Sequence, residues 1–119
     1  MMARILVVDD AAFMRVRACK VLLDNGHEVE QAENGLEAVR KYTEWQPDAV
    51  LMDITMPEMD GLTALREIRK LDPHARVAMV TAMGQQAIIM QALKDGAKDF
   101  VLKPIEPDRV LAALAKILS

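Results

Sequence analysis

The sequence lacks most of the marks of an exported, membrane-bound or nucleic-acid-binding chain. It holds a single cysteine, Cys19, in 119 residues, so no internal disulfide can form and a reducing compartment is expected. No apolar run approaches the roughly 18 residues that a membrane helix requires. Charge enters early, at Arg4 and Asp9, and no cleavage site follows, so no secretory signal is expected. Lysine and arginine total 15 against 18 acidic residues, a net charge of −3, and they form no basic cluster, which argues against nucleic-acid binding. Repeats, low-complexity tracts and linkers are also missing. These absences leave a soluble cytoplasmic chain, expected to be a monomer and to touch neither membrane nor nucleic acid.

What is present is enough for one packed domain over residues 1–119. Hydrophobic residues make up 52% of a chain long enough to bury a core without metal or disulfide staples. Ile5 to Val8 is a short, continuous apolar run, as in a strand buried on both faces. Helical spacing then takes over from Ala12 to Asn25, with Met14, Ala18, Val21 and Leu22 on one face and Arg15, Lys20 and Asp24 pointing away. Gly26 closes that helix. A weak strand from Glu28 to Gln31 is followed by a helix that Asn34 can cap, running to about Glu44, with Pro47 in the return loop.

The alternation continues to the end. Ala49 to Met52 reads as a strand, and Leu62, Leu65, Ile68 and Leu71 recur along a helix. Val77 to Val80 is a strand, a helix runs from about Gln85 to Asp95 and stops at Gly96, and Phe100 to Leu102 is the last strand. Pro107 suits the first turn of a final helix carrying Val110, Leu114 and Ile117. Five strands alternating with five helices predict a doubly wound parallel sheet, and right-handed crossovers favour the flavodoxin-like order 2-1-3-4-5. The final helix reaches Ser119, so no output domain is expected.

Four strand runs lead directly into a chemically active residue: Asp9-Asp10, Asp53, Thr81 and Lys103-Pro104. In a parallel sheet all C-terminal ends share one edge, so these residues should meet in one crevice. Singly, each has an ordinary explanation. Asp10 could be an N-cap, Asp53 a turn former before Pro57 and Gly61, Thr81 a cap for the next helix, and Lys103 a solvated loop residue. Jointly, three carboxylates would repel one another unless a cation and a lysine neutralise them. Three carboxylates with water and a main-chain carbonyl suit Mg²⁺, with Mn²⁺ able to substitute. Asp53 is then the nucleophile toward phosphorus, while Lys103 and the metal neutralise phosphoryl oxygens and Thr81 donates a hydrogen bond. His27 and His74 fall in turns away from this edge and are expected to be exposed.

The acid pair Asp9-Asp10, the acceptor Asp53, Thr81 and Lys103-Pro104 together resemble the receiver family of two-component signalling over essentially the whole chain. The stretches Asp9 to Arg15, Met52 to Met59 and Ala82 to Gln86 look like stand-alone chemotaxis regulators of the CheY type, as found in thermophilic and Gram-positive examples. The resemblance implies a signalling receiver rather than an enzyme, one that promotes its own phosphorylation and slow dephosphorylation. It implies a phosphohistidine donor on a partner histidine kinase, and a metal held by Asp10, Asp53 and the main-chain carbonyl of Thr55 with Asp9 assisting. It also implies a cis peptide before Pro104, a downstream target such as a flagellar motor switch protein, and a phosphatase. Thr81 and Phe100 match the family's switch pair, although Phe100 lacks the hydroxyl of a tyrosine.

Two readings of the residues extend this. Ala87-Ile88-Ile89-Met90 are four consecutive apolar residues that cannot all face a core, so Ile89 is expected to be exposed and, with Phe100, to mark a partner face. Thr55 and Met83 flank the path of attacking water without a carboxylate or amide to orient it, which predicts slow self-hydrolysis. Met56, Met59 and Met83 are the methionines nearest the site. Three alternatives remain. A receiver of another pathway, or one excised from a longer regulator, would look the same. An aspartate-nucleophile phosphohydrolase needs an acid two residues after Asp53, where Thr55 stands. A flavodoxin would place its anionic phosphate against Asp9-Asp10.

Overall fold

Short apolar runs become strands here because each is covered by helices on both faces. The computed structural model describes residues 2–119 and contains, in order, β1 (Arg4–Val8), α1 (Ala12–Asp24), β2 (Glu28–Ala32), α2 (Gly35–Trp45) and β3 (Ala49–Asp53). There follow α3 (Gly61–Leu71), β4 (Val77–Thr81), α4 (Gln86–Lys94), β5 (Asp99–Leu102) and α5 (Pro107–Leu118). All neighbouring strands pair in parallel, in the order β2-β1-β3-β4-β5. Leu6 stands opposite Val50, Met52 opposite Met79, and Thr81 opposite Leu102. The predicted architecture is therefore the observed one.

Alternate residues of each strand feed opposite cores. Leu6, Val8, Val50, Met52, Val77 and Met79 pack with Leu65, Ile68 and Ile89 from α3 and α4. Ile5, Val7, Leu51, Ala78 and Val101 pack with Leu22 of α1 and Val110, Leu114 and Ile117 of α5. Each fully buried aliphatic side chain contributes roughly 1.5–3 kcal/mol relative to exposure, before the entropy of ordering it. Those two cores hold the sheet, and the sheet edge holds the site.

Several local expectations need correction. Leu71 lies in α3 as the spacing predicts, yet it is 58% exposed, because α3 ends there and the chain turns away at Asp72. Arg15 does not point into solvent; its side chain is only 12% exposed and donates to the carbonyl of Asp9 at 2.6 Å. His27 is half-buried, with Nδ1 accepting the Ala3 N–H at 3.1 Å, whereas His74 is exposed as expected. Asn34 caps α2 as predicted, accepting from the Glu37 N–H at 2.8 Å. Boundaries move by one residue at several ends, and the strands extend to include Asp53, Thr81 and Asp99.

Gly61 opens α3 directly beneath the end of β3. Its N–H donates to the carbonyl of Ile54 at 2.8 Å, and a Cβ built on it would collide with the main-chain carbonyl of Asp53. Backbone cannot yield as a flexible side-chain tip can. Gly61→Ala is therefore expected to cost about 1–3 kcal/mol of stability, as other overpacked sites do. A urea unfolding midpoint unchanged from wild type would contradict that close approach.

Candidate functional site

The residues that carry chemistry lie at, or just past, the last rungs of the ladders. Beyond β1, the Asp9 N–H continues the pairing by donating to the Ala32 carbonyl at 3.1 Å. Beyond β3, Ile54 donates to Val80 at 3.2 Å, and beyond β5, Lys103 donates to Thr81 at 2.8 Å. Each functional residue thus inherits the rigidity of the sheet. The loop after Asp53 is fastened at its far end, where the Met59 carbonyl accepts the Gly35 N–H at 2.9 Å.

Side-chain oxygens of Asp9, Asp10 and Asp53 lie within 4.8 Å of one another. Asp9 and Asp53 are buried, while Asp10 is exposed and leaves the cluster open on one side. Lys103 Nζ stands 3.0 Å from Asp53 Oδ1 and 3.5 Å from Asp9 Oδ2. Asp9 Oδ1 also accepts the Ala11 N–H at 2.9 Å. The peptide between Lys103 and Pro104 is cis, as the resemblance implied.

These placements dispose of the ordinary explanations. Asp10 does not cap α1, whose N-cap is Ala11 with no side-chain cap bond. Asp53 is 4% exposed, far too buried for a mere turn former. The Thr81 hydroxyl is buried and turned to Gln85 and does not cap α4. Lys103 is drawn in over the acids rather than extended into water.

Burial pushes the Asp53 carboxyl up to about 6, and the neighbouring charges of Asp9 and Asp10 push the same way, against the Lys103 hydrogen bond. Burial would lower the Lys103 ammonium, but its hydrogen bond to Asp53 and the charges of Asp53 and Asp9 outweigh that and raise it. The two shifts are consistent: one lysine is well satisfied by three acids, while three acids are poorly satisfied by one lysine. An oxygen-only donor set with a surplus of negative charge and an open side fits Mg²⁺, which favours few carboxylates and keeps several waters. The main-chain carbonyl of Thr55 receives no backbone hydrogen bond among the described residues, so its lone pairs are uncommitted.

The partner face needs revision. Ile89 is 8% exposed and belongs to the core against β4, because α4 turns it and Ala92 inward. The exposed large apolar residues of α4 are Ile88, Met90 and Leu93, with Met90 at 59%, while Ile89 reaches the adjoining groove only from the core side. A groove of about 360 Å³ runs between α4 and β5, with Met83, Met90, Leu93, Phe100 and Leu102 among its lining. Phe100 is half-buried there, packed against the core cluster. Of the three methionines near the site, Met56 is buried and Met59 packs on the core, while Met83 is largely exposed.

Two side-chain groupings escaped the sequence. Gln85 spans the crevice: its Oε1 meets the Thr81 hydroxyl at 2.5 Å and the Ala82 N–H at 3.1 Å, and its Nε2 donates to Thr55 Oγ1 at 3.2 Å. Asp99 is buried at the start of β5 and paired with Arg109 at 3.3 Å; Arg109 also donates to the Phe100 carbonyl at 2.5 Å, tying α5 to β5. Burial would raise the Asp99 carboxyl, but Arg109, the Phe100 N–H and Lys116 outweigh it and hold it below the ordinary carboxylate range. Only a position four residues after Thr81, on a glycine-bearing turn, hinted at Gln85; nothing local links Asp99 to Arg109.

Residues 5–115 match the model of the response regulator receiver domain. The chain belongs to that family. It is 57% identical over 117 residues to the chemotaxis protein CheY of Bacillus subtilis, with 98% of each chain covered. It is 54% identical over 115 residues to the chemotaxis protein CheY of Thermotoga maritima, covering 96% of each. Among solved structures, the CheX–CheY–BeF3–Mg complex of Borrelia burgdorferi matches with a TM-score of 0.93 at 35% identity, covering 98% of this chain and 89% of that one. The protein is thus a CheY-like receiver domain of two-component signalling, a signalling module rather than a classical enzyme. No helix among the described residues is long and apolar enough to cross a membrane.

The raised Asp53 carboxyl has a consequence in metal-free protein. A folded-state value above the unfolded one means that Asp53 favours folding at low pH, and that this contribution is lost as pH rises through about 6. With chelator present, Asp53→Asn should be more stable than wild type at pH 8, by on the order of 2 kcal/mol. The advantage should fall to about a third of that by pH 4.5 and vanish only below the ordinary carboxylate value of 3.8, where Asp53 is protonated in both states. Denaturant unfolding at the two pH values checks this, and an advantage independent of pH would contradict it.

Proposed function

We propose that this receiver takes a phosphoryl group onto Asp53 from a phosphohistidine on a partner kinase. The supporting observation is the meeting of three carboxylates with a single lysine at the edge of the sheet, a charge surplus that a structural role would not require. In this reading an Asp53 carboxylate oxygen bonds to phosphorus as the phosphorus–nitrogen bond of the donor breaks. The bonding pair leaves with the imidazole nitrogen. Lys103 faces the oxygens that gain charge, and Thr81 supplies a hydrogen bond to one of them. Such positioning and charge neutralisation are most of what phosphoryl transfer demands.

Asp10, Asp53 and the Thr55 main-chain carbonyl would hold Mg²⁺, or Mn²⁺ in its place, with Asp9 assisting. When bound, the ion supplies positive charge to the phosphoryl oxygens. The switch runs through Thr81 to Phe100, so the output face is the α4–β5 groove with the adjoining surface of α5, its exposed members being Met90, Leu93 and Leu102 rather than Ile89. Identity above half with two chemotaxis regulators supports a role in chemotaxis, with a flagellar motor switch protein as target, a phosphatase as a further partner, and a monomer acting in the cytoplasm. We read residues 1–119 as one receiver domain. Hydrolysis of phosphate esters is a poorer reading, because Thr55 has no acidic proton to give a leaving group.

Intact mass after incubation with acetyl phosphate and Mg²⁺ tests this. One base-labile phosphoryl adduct is expected, absent from Asp53→Asn and from a metal-free control. An unmodified wild-type protein would remove the reading. The adduct should also persist well beyond a few seconds, since Thr55 and Met83 offer no carboxylate or amide to orient water; a half-life of seconds would contradict that.

A further inference from the structure

The hydrogen bonds of Gln85 assign their own direction. The Ala82 main-chain nitrogen can only donate, so the Gln85 atom 3.1 Å from it must be the oxygen. The Thr81 hydroxyl, 2.5 Å from the same oxygen, must then be the donor in that bond. The amide nitrogen falls toward Thr55 Oγ1, where it donates at 3.2 Å. A threonine hydroxyl has one proton. Here that proton is committed to Gln85, although the Ala82 carbonyl lies within reach at 3.2 Å.

The phosphoacceptor reading asks the same proton to serve a phosphoryl oxygen on Asp53. It cannot do both. We propose that Gln85 is a positioning residue that withholds the Thr81 hydroxyl from the acceptor site until a phosphoryl group competes for it. The inference rests on the function proposed above and adds the group that sets its threshold.

Location makes the exchange consequential. Gln85 is the N-cap residue of α4, and its main-chain carbonyl accepts the Ile89 N–H at 3.0 Å, in the first turn of the helix. It also lines the groove that holds Met90 and Phe100. Through Thr55 it touches the loop that follows Asp53. When Thr81 turns away, the Gln85 oxygen keeps the Ala82 N–H but loses its strongest donor. The start of α4, beside the output groove, therefore registers what happens at Asp53. The energetic term is one hydrogen bond exchanged for another, small enough to be reversed by a charged phosphoryl oxygen.

The test uses the full chain with beryllofluoride and Mg²⁺ as the phosphoryl mimic, bound fraction being read by fluorine NMR. Gln85→Met preserves length and removes the acceptor, so it should bind the mimic about fivefold more tightly than wild type, the worth of one competing hydrogen bond. Gln85→Glu keeps the acceptor and should show no gain. In a Thr81→Ala background the Gln85→Met gain should vanish, because the residue acts through that hydroxyl. A second reading needs no metal: side-chain scalar couplings should report one Thr81 χ1 rotamer in wild type and averaging in Gln85→Met. Equal or weaker binding by Gln85→Met, or an equal gain without the Thr81 hydroxyl, overturns this inference alone. If Gln85→Met proves unstable to heat, the Gln85→Glu and rotamer comparisons decide in its place, and averaged Thr81 couplings in wild type overturn it. A wild-type protein that binds no beryllofluoride overturns the phosphoacceptor reading and this inference with it.

Discussion

The pairing of one ammonium with two buried carboxylates, Lys103 with Asp53 and Asp9, is the constraint around which the rest of the molecule is arranged. Carboxylates brought this close repel, the buried pair most of all, and the lysine offsets only part of that repulsion. Burial first, and that repulsion with it, push the Asp53 carboxyl above the range of a free aspartate. A fold that tolerates such a cluster must be stable for other reasons. The two apolar cores on either side of the sheet supply them, and they do so with residues that take no part in the chemistry.

The backbone does the positioning. Asp9, Ile54 and Lys103 each add one hydrogen bond to a ladder after the strand has formally ended. A side chain rooted one residue past a sheet has little freedom to drift. Glycine contributes at one point, where Gly61 lets α3 begin almost in contact with the main-chain carbonyl of Asp53.

Architecture and acid cluster were legible in the sequence because both are written in local pattern. Continuous apolar runs mark strands buried on both faces, and a polar residue immediately after each run marks the sheet edge. Topology then brings the edges together without further information. What could not be read depends on contacts between distant segments or on the rotation of a single helix. Four apolar residues in α4 permit several rotations, and packing against β4 chose the one that buries Ile89 and exposes Met90. Leu71 satisfies the period of α3 and still lies in solvent, because the period does not say where the core stops. Gln85 carries only the faint signal of its place four residues after Thr81, and the Asp99–Arg109 pair carries none, since each reaches across to another element.

The chain order of the ladder ends has a consequence for biosynthesis. Asp9, Asp10 and Asp53 all lie in the first half of the chain, while Lys103 comes from the last strand. A nascent chain thus presents its acids to one another well before their counter-charge has been translated. The counter-charge therefore reaches the acids only when β5 docks against β4. The complete charge arrangement is thus a property of the finished fold, since a fragment short of its fifth strand holds the three acids without Lys103.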